Sequence, residues 1–228
     1  MTFSIAARCS KTGMLGIAVA SSSPAVAARC AHARANVGAA ASQNITDPRL
    51  GVLALDLLAD GKSAAEAMEG VRRYGGDLIA YRQLTIIDRN GGTAAFSGAK
   101  TLGTHASAEG PGVVCAGNIL KNPGVPAAMR DAFLASSERT FGARLIGAMQ
   151  AGLAAGGEEG PVHSIGLKIV RDVAWPIADL RVDWHDTDPV GALARLWDRW
   201  APQMEDYVTR ALDPSKAPAF GVAGDKAR

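Results

Sequence analysis

Thr2 is the residue of this chain whose chemistry depends on its position. An initiator Met is trimmed when the next residue is small, so the mature chain is expected to begin with a Thr just before an apolar run. Such a Thr carries a hydroxyl nucleophile and a free α-amine, of pKa ~7.7–8.0 when unperturbed, on one residue. Activation of Thr by its own amine is an established route to covalent catalysis. Amide hydrolysis by an N-terminal residue needs a nucleophile, a base and donors for the oxyanion, and the amine can act as the base without any His. Each oxyanion donor, a backbone N–H or an Asn or Gln amide, is worth roughly 10²–10³ in rate. Gln43, Asn44 and Asn118 stand at the ends of apolar runs, where such donors belong, and Arg82 and Gln83 open another. Singly, each of these is ordinary turn or structural chemistry; only their convergence on Thr2 would make a site.

Other chemistry has less support in the pattern. No Gly-x-x-x-x-Gly-Lys-Ser/Thr loop, no Gly-x-Gly-x-x-Gly opening a helix and no Gly-x-Ser-x-Gly elbow occurs. The four His are scattered, and only His185, beside Asp183, Asp186 and Asp188, forms a His/carboxylate cluster. That cluster suits a metal-dependent hydrolase or, more commonly, solvated turn chemistry ahead of a capped helix. Cys9, Cys30 and Cys115 are odd in number and widely spaced, which gives neither a disulfide framework nor a zinc pattern; they read as small core residues. A net charge of +2 gives no footprint for nucleic acid or an anionic membrane. There is no apolar run of the ~18 residues a membrane span requires. Arg8 and Lys11 break the N-terminus too early for a secretion signal, so a cytoplasmic location is expected. Apolar residues at 48% and charged residues at 20% are ordinary for a globular protein, with Ala and Gly plentiful and aromatics few.

The elements that must position these residues are legible from periodicity and punctuation. Phe3–Ala7 and Met14–Ala20 are apolar runs joined by a polar turn ending in Gly13, a β-hairpin. Ser21-Ser22-Ser23-Pro24 is a polar break, residues 25–35 are of uncertain type, and residues 37–43 read as a strand of small residues. Asp47-Pro48 starts a helix running to Ala59, and Ser63 with Glu66 is a capping box for a second, to about Arg73. Strands are expected at 83–88 and 93–97 around Asn90-Gly91, the strongest short-range hairpin signal, and at 113–117. Helices follow at 125–135 and 139–155, then strands at 162–170 and 177–182. One final helix, 190–212, carries a Trp197/Trp200 stripe that marks core or a subunit contact. Strands and helices segregate rather than alternate, which argues α+β with largely antiparallel sheets.

With the residues set out, the chain resembles a known family. The start Met1-Thr2-Phe3-Ser4-Ile5, then Thr12-Gly13-x-x-Gly16-x-Ala18-Val19-Ala20-Ser21, is similar to the bacterial family labelled domain of unknown function 1028, grouped with the N-terminal-nucleophile (Ntn) hydrolases. Gly38-Ala39-x-Ala41-x-Gln43, Arg82-Gln83-x-x-x-x-Asp88, Gly117-Asn118-x-Leu120, Asp179-Leu180-Arg181-Val182-Asp183 and Asp188-Pro189-Val190 continue the likeness in family order to about Leu212. The resemblance implies a four-layer αββα sandwich, two antiparallel sheets between helical layers, with the first residue at the end of a central strand. It implies amidohydrolase chemistry without naming a substrate. The sequence departs from the family pattern at Ser22, around Gly103-Thr104-His105, at Ala116 and at Pro161-Val162-His163, and changes there imply a different substrate or a lost activity.

The expectation is therefore one Ntn-like domain over 1–212 with a C-terminal tail at 213–228, hydrolysing an amide of a small acylated or cyclic metabolite. Thr2 is the nucleophile, Asn118 and Gln43 assist the oxyanion, and Ser21, Ser22, Asn44, Arg82 and Gln83 hold substrate. No cofactor or metal is required, and a homo-oligomer is expected from the aromatic stripe. The competing expectation keeps the fold without catalysis, as a metabolite-binding or assembly module.

Overall fold

The computed structural model describes residues 1–222. Ten strands form two sheets. The larger takes β1 (Thr2–Arg8), β2 (Leu15–Ser21), β7 (Ala106–Gly110), β8 (Val113–Asn118), β9 (Ser164–Val170) and β10 (Ala178–Val182), in the order β10-β9-β2-β1-β8-β7. The smaller takes β3 (Ala31–Arg34), β4 (Gly38–Asn44), β5 (Arg82–Asp88) and β6 (Thr93–Ser97), in sequence order. Every neighbouring pair is antiparallel.

Side-chain alternation along the central strands decides the layers. In β1, Phe3, Ile5 and Ala7 enter a core under the helices α4 (Val125–Ala135), α5 (Phe141–Ala154) and α6 (Pro189–Trp200), while Ala6 faces the other sheet. Leu15, Ile17 and Val19 of β2, Ala39 and Ala41 of β4, Ile87 of β5 and Val114 of β8 complete the layer between the sheets. The outer face of the smaller sheet, with Ala40, Leu84 and Ile86, is covered by α2 (Pro48–Ala59) and α3 (Ala64–Gly75). Three apolar layers separate four structural ones, an αββα sandwich. Strands buried on both faces need no polar alternation, which is why β1 and β2 read as nearly continuous apolar runs.

Local signals act as anticipated at the helix starts and the second hairpin. Asp47 accepts the Arg49 N–H at 3.1 Å, and Ser63 and Glu66 close their reciprocal box. Asp88 accepts the N–H groups of Asn90 and Gly92, each at 2.9 Å, with Gly91 at φ +90°.

Four features depart from expectation. The uncertain segment 25–35 holds a short helix, α1 (Val26–Cys30), and the edge strand β3. β7, Ala-Ser-Ala-Glu-Gly, carries too little apolar character to signal a strand and forms because β8 offers it an edge. The last helix is not continuous: α6 ends at Trp200, Ala201–Gln203 form a single 3₁₀ turn, and α7 (Met204–Leu212) follows. Pro202 explains the break, since it lacks an N–H and its ring opposes the carbonyl four residues earlier. Finally, the aromatic stripe is covered within the chain. Trp197 is buried on α5, and the Trp200 indole donates to the Ile177 carbonyl at 3.0 Å and stacks on Tyr207 at 5.0 Å. A homo-oligomer is therefore not required to bury it. Of the expected tail, Pro214–Lys216 make a 3₁₀ turn and Phe220 meets Tyr207 edge-on, while 223–228 lie outside the described residues.

The seat of α6 depends on the absence of a side chain at Gly142, where a Cβ would come within 2.3 Å of the Trp197 ring. Gly142→Ala is expected to cost about 1–3 kcal/mol of stability through overpacking, read as a lower urea midpoint. An unchanged midpoint would show that Trp197 does not bear on α5.

Candidate functional site

The same alternation that builds the layers assembles the site. Residues two apart share a face, so Thr2 and Ser4 continue the inter-sheet face of Ala6, and Ser21 continues that of Val19. By the same rule Gln43 follows Ala41, Gln83 precedes Ile87 on its face, and Asn118 follows Val114. All six are buried and all lie at one end of the space between the sheets. Register brings them into pairs: Thr2 opposite Asn118, and Gln43 opposite Gln83.

Gln83 ties the pairs together. Its Oε1 accepts from Gln43 Nε2 at 2.8 Å and from Asn118 Nδ2 at 3.0 Å. Its Nε2 donates to the Gly117 carbonyl at 2.9 Å and to Ser97 Oγ at 3.0 Å. Because a carbonyl only accepts, this fixes the orientation of all three amides; Gln43 Oε1 is left to accept the Ser4 hydroxyl at 2.7 Å. Asn118 Oδ1 is then a buried acceptor without a partner, in the strand beside Thr2.

A second set surrounds the Met1–Thr2 peptide. The Met1 carbonyl oxygen accepts from the Thr2 hydroxyl and from Ser21 Oγ, the latter at 2.5 Å. Ser23 Oγ stands 2.8 Å from Ser21 Oγ, and Arg29 Nη2 donates to Ser23 at 2.5 Å. Arginine has no acceptor and the Met1 oxygen has no proton, so the chain runs in one direction: Arg29 to Ser23 to Ser21 to the carbonyl. Arg29 is carried by α1, which is anchored where Ser164 Oγ accepts the Val26 N–H at 3.2 Å and donates to the Ser23 carbonyl at 2.6 Å. Beside it, His163 donates its backbone N–H to the Ser21 carbonyl at 3.0 Å and stacks on the exposed Trp184 at 4.3 Å.

Of the residues expected to form the site, the structure therefore brings together Thr2, Ser21, Gln43, Gln83 and Asn118. Asn44 and Arg82 pair with each other in register but turn to loop backbone: Asn44 Nδ2 donates to the Tyr81 carbonyl at 2.5 Å, and Arg82 Nη1 to that of Ile45. Ser22 is half-buried, and its backbone N–H makes no hydrogen bond to either carboxyl oxygen of Glu158, on which it exerts only a weak pull. The His185 cluster is divided among local roles. His185 Nδ1 accepts the N–H groups of Thr187 and Asp188, Asp188 caps α6, Asp183 pairs with Arg181 and Asp186 accepts from Trp184. Among the described residues no group of three or more His, Cys, Asp or Glu is placed to hold a metal ion. A cavity of about 360 Å³ lined by Cys9, Thr12, Phe141 and Trp197 lies at the far end of β1, roughly 20 Å along the strand from Thr2.

Glu158 was not foreseen. The run Gly156-Gly157-Glu158-Glu159-Gly160 reads only as a helix stop, yet Gly156 and Gly157, at φ +121° and +59°, turn the chain inward. Glu158 is 4% exposed, and neither carboxyl oxygen has a hydrogen-bond partner. Burial pushes its pKa up to about 8, against smaller opposing pulls from the Met1 α-amine and the Ser22 N–H.

The two antiparallel sheets between helical layers define an α+β protein of the αββα sandwich class. The chain belongs to the DUF1028 family, a family of unknown function, whose model matches residues 2–193. Protein SPO2555 from Silicibacter pomeroyi, of the same family, superposes with a TM-score of 0.82 at 31% identity, over 90% of this chain and 94% of that one. Anbu (ancestral beta-subunit) from Yersinia bercovieri matches at TM-score 0.40 and 12% identity, over 90% of this chain and 96% of that one. Anbu from Hyphomicrobium sp. strain MC1 matches at 0.40 and 11%, over 96% and 100%. Both are likenesses too loose to carry an argument. No curated protein matches. Among the described residues no helix is long and apolar enough to cross a membrane.

The elevated pKa of Glu158 has a consequence for stability. The native protein keeps a proton that the unfolded chain releases near pH 4.5, so the contribution is full below that pH and is lost as pH rises through about 8. The unfolding free energy of the wild type is expected to fall relative to Glu158→Gln across that window, by a few kcal/mol at most in order of magnitude. Urea titrations at intervals of pH measure it, and parallel curves throughout would mean a solvated carboxylate.

Proposed function

We propose that this chain is an Ntn-type amidohydrolase acting on the amide of a small molecule, with Thr2 as nucleophile once Met1 is removed. One observation carries the reading. The Met1 carbonyl, directly beside the Thr2 hydroxyl, is held by the Ser21 hydroxyl, the treatment a scissile carbonyl needs.

In the trimmed chain the Thr2 α-amine is free. Thr2 Oγ attacks the substrate carbonyl carbon while the amine takes the hydroxyl proton, giving a tetrahedral intermediate whose oxyanion accepts from Ser21. Ser23 and Arg29 behind it polarise that donor, and the positive charge at the end of the chain compensates the developing negative one. The protonated amine passes its proton to the departing nitrogen, the C–N bond breaks, and an ester on Thr2 remains. Water, deprotonated by the same amine, cleaves the ester and restores the hydroxyl. Asn118 Oδ1 supplies a buried acceptor for an N–H of the Thr2 amine, and Gln43 acts through Gln83 by holding Asn118 in place. The small net charge and the enclosed position of Thr2 favour a small-molecule substrate over a polyanion.

A chain that keeps Met1 has its Thr2 nitrogen locked in an amide, and the same pocket would then serve only to bind. Intact mass of protein from its own host distinguishes the two: the expected result is loss of Met1. In the trimmed chain, Thr2→Ala is expected to abolish labelling by a β-lactone. Ser21→Ala is expected to lower kcat by about 10²–10³. An active enzyme that retains Met1 would overturn the mechanism.

A further inference from the structure

A buried carboxyl without a partner is costly to keep, and Glu158 is held in place by several contacts. Lys121 donates to the Gly157 carbonyl at 3.1 Å, Glu159 donates to the Ile119 carbonyl at 3.0 Å, and Leu120 bridges to Glu158, so the loop is fastened to the segment that leaves Asn118. The Met1 side chain lies along this loop. A Cβ on Gly160 would stand 3.2 Å from its terminal methyl and 3.3 Å from its sulfur. The Met1 α-amine is close enough for its charge to act on Glu158. Two parts of this α-aminoacyl group are thus held, the carbonyl by Ser21 and Thr2 and the side chain against the bare Gly160, while the amine lies near the Glu158 carboxyl without forming an ion pair with it.

We propose that the place Met1 fills is the acyl pocket for substrate, and that Glu158 receives the free amino group of an α-aminoacyl amide. This rests on the amidohydrolase reading of Thr2. The Thr2 nitrogen that carries Met1 and the Thr2 oxygen that would carry the acyl group are joined through Cα and Cβ. A substrate acyl group therefore occupies nearly the volume that Met1 vacates. Glu158 is already enclosed and neither of its carboxyl oxygens has a hydrogen-bond partner, so an ammonium supplies a contact it lacks. An N-acylated analogue removes that charge and adds bulk where the amine must sit. Sites built around a buried polar group discriminate strongly against ligands that leave it unpaired.

The test uses the chain trimmed of Met1 by methionine aminopeptidase, with L-methionine 4-nitroanilide and its N-acetyl derivative as substrates. The expected kcat/KM ratio, free amine over acetylated, is about 100 or more, and Glu158→Gln is expected to lower that ratio at least about tenfold. The wild-type ratio needs no variant, so a poorly folding Glu158→Gln does not remove the test. Equal or better hydrolysis of the acetylated compound overturns the proposal while leaving the amidohydrolase reading intact. A parallel loss on both substrates in Glu158→Gln also overturns it, since that is the effect of a carboxyl acting on the Thr2 amine. If neither compound is hydrolysed, calorimetry on the trimmed Thr2→Ala chain decides, with L-methioninamide against N-acetyl-L-methioninamide. Preference for the free amine, lost in Glu158→Gln, upholds the pocket; equal affinity or no binding of either overturns it.

Discussion

The Gln83 side chain is where the two sheets become one site. It belongs to the smaller sheet, yet it donates to the Gly117 carbonyl and accepts from Asn118 in the larger, while holding Gln43 and Ser97 in its own. Both of its N–H bonds and both of its acceptor positions are used. In a space whose other end is packed with Ala, Val, Ile and Leu, such a group is worth having only when complete, because one missing partner leaves a buried polar atom unpaired. Its completeness fixes the separation of the sheets at this end and the orientation of Asn118 beside Thr2. The thin inter-sheet layer permits this approach: Ala6, Ala39 and Ala41 bring the backbones close enough for one Gln to span them.

Backbone strain gathers at the same end. Ile119, a β-branched residue, has φ +48°, and it directly follows Asn118. Asn44, at φ +73°, directly follows Gln43, and Ala25, at φ +50°, leads into the helix that bears Arg29. Left-handed non-glycine residues cost on the order of 1–3 kcal/mol each and persist where the surroundings impose them. Ile119 and Asn44 each turn the chain just past the last inward side chain of a strand, Asn118 and Gln43, both members of the cluster.

Much of this architecture could be read from the sequence because it rests on local rules. The hairpin at Asn90-Gly91, the box at Ser63 and Glu66, and the apolar strand runs each depend on residues within a few positions of one another. Thr2, Ser21, Gln43, Gln83 and Asn118 could be singled out as polar residues at strand ends, and period-two alternation then places them on one face. What could not be read depends on partners distant in sequence. β7 exists because β8 has a free edge, and Arg29 matters because Ser23 relays it to Ser21. Glu158 points inward because two glycines permit a turn that nothing in their immediate sequence demands. Trp197 illustrates the converse: its stripe signals burial correctly, but only the bare surface at Gly142 reveals that α5 provides it.

Met1 gives the site an economy of scale. It is 37% exposed while Thr2 beneath it is 5% exposed, so one residue covers Thr2. On the proposed chemistry, removal of Met1 by a methionine aminopeptidase is the step that frees the Thr2 amine to act as a base. An affinity tag fused ahead of Met1 would hold the nitrogen as an amide and fill the pocket with foreign chain. On that chemistry, protein prepared that way would show no Thr2-dependent hydrolysis, and a negative screen would report on the tag.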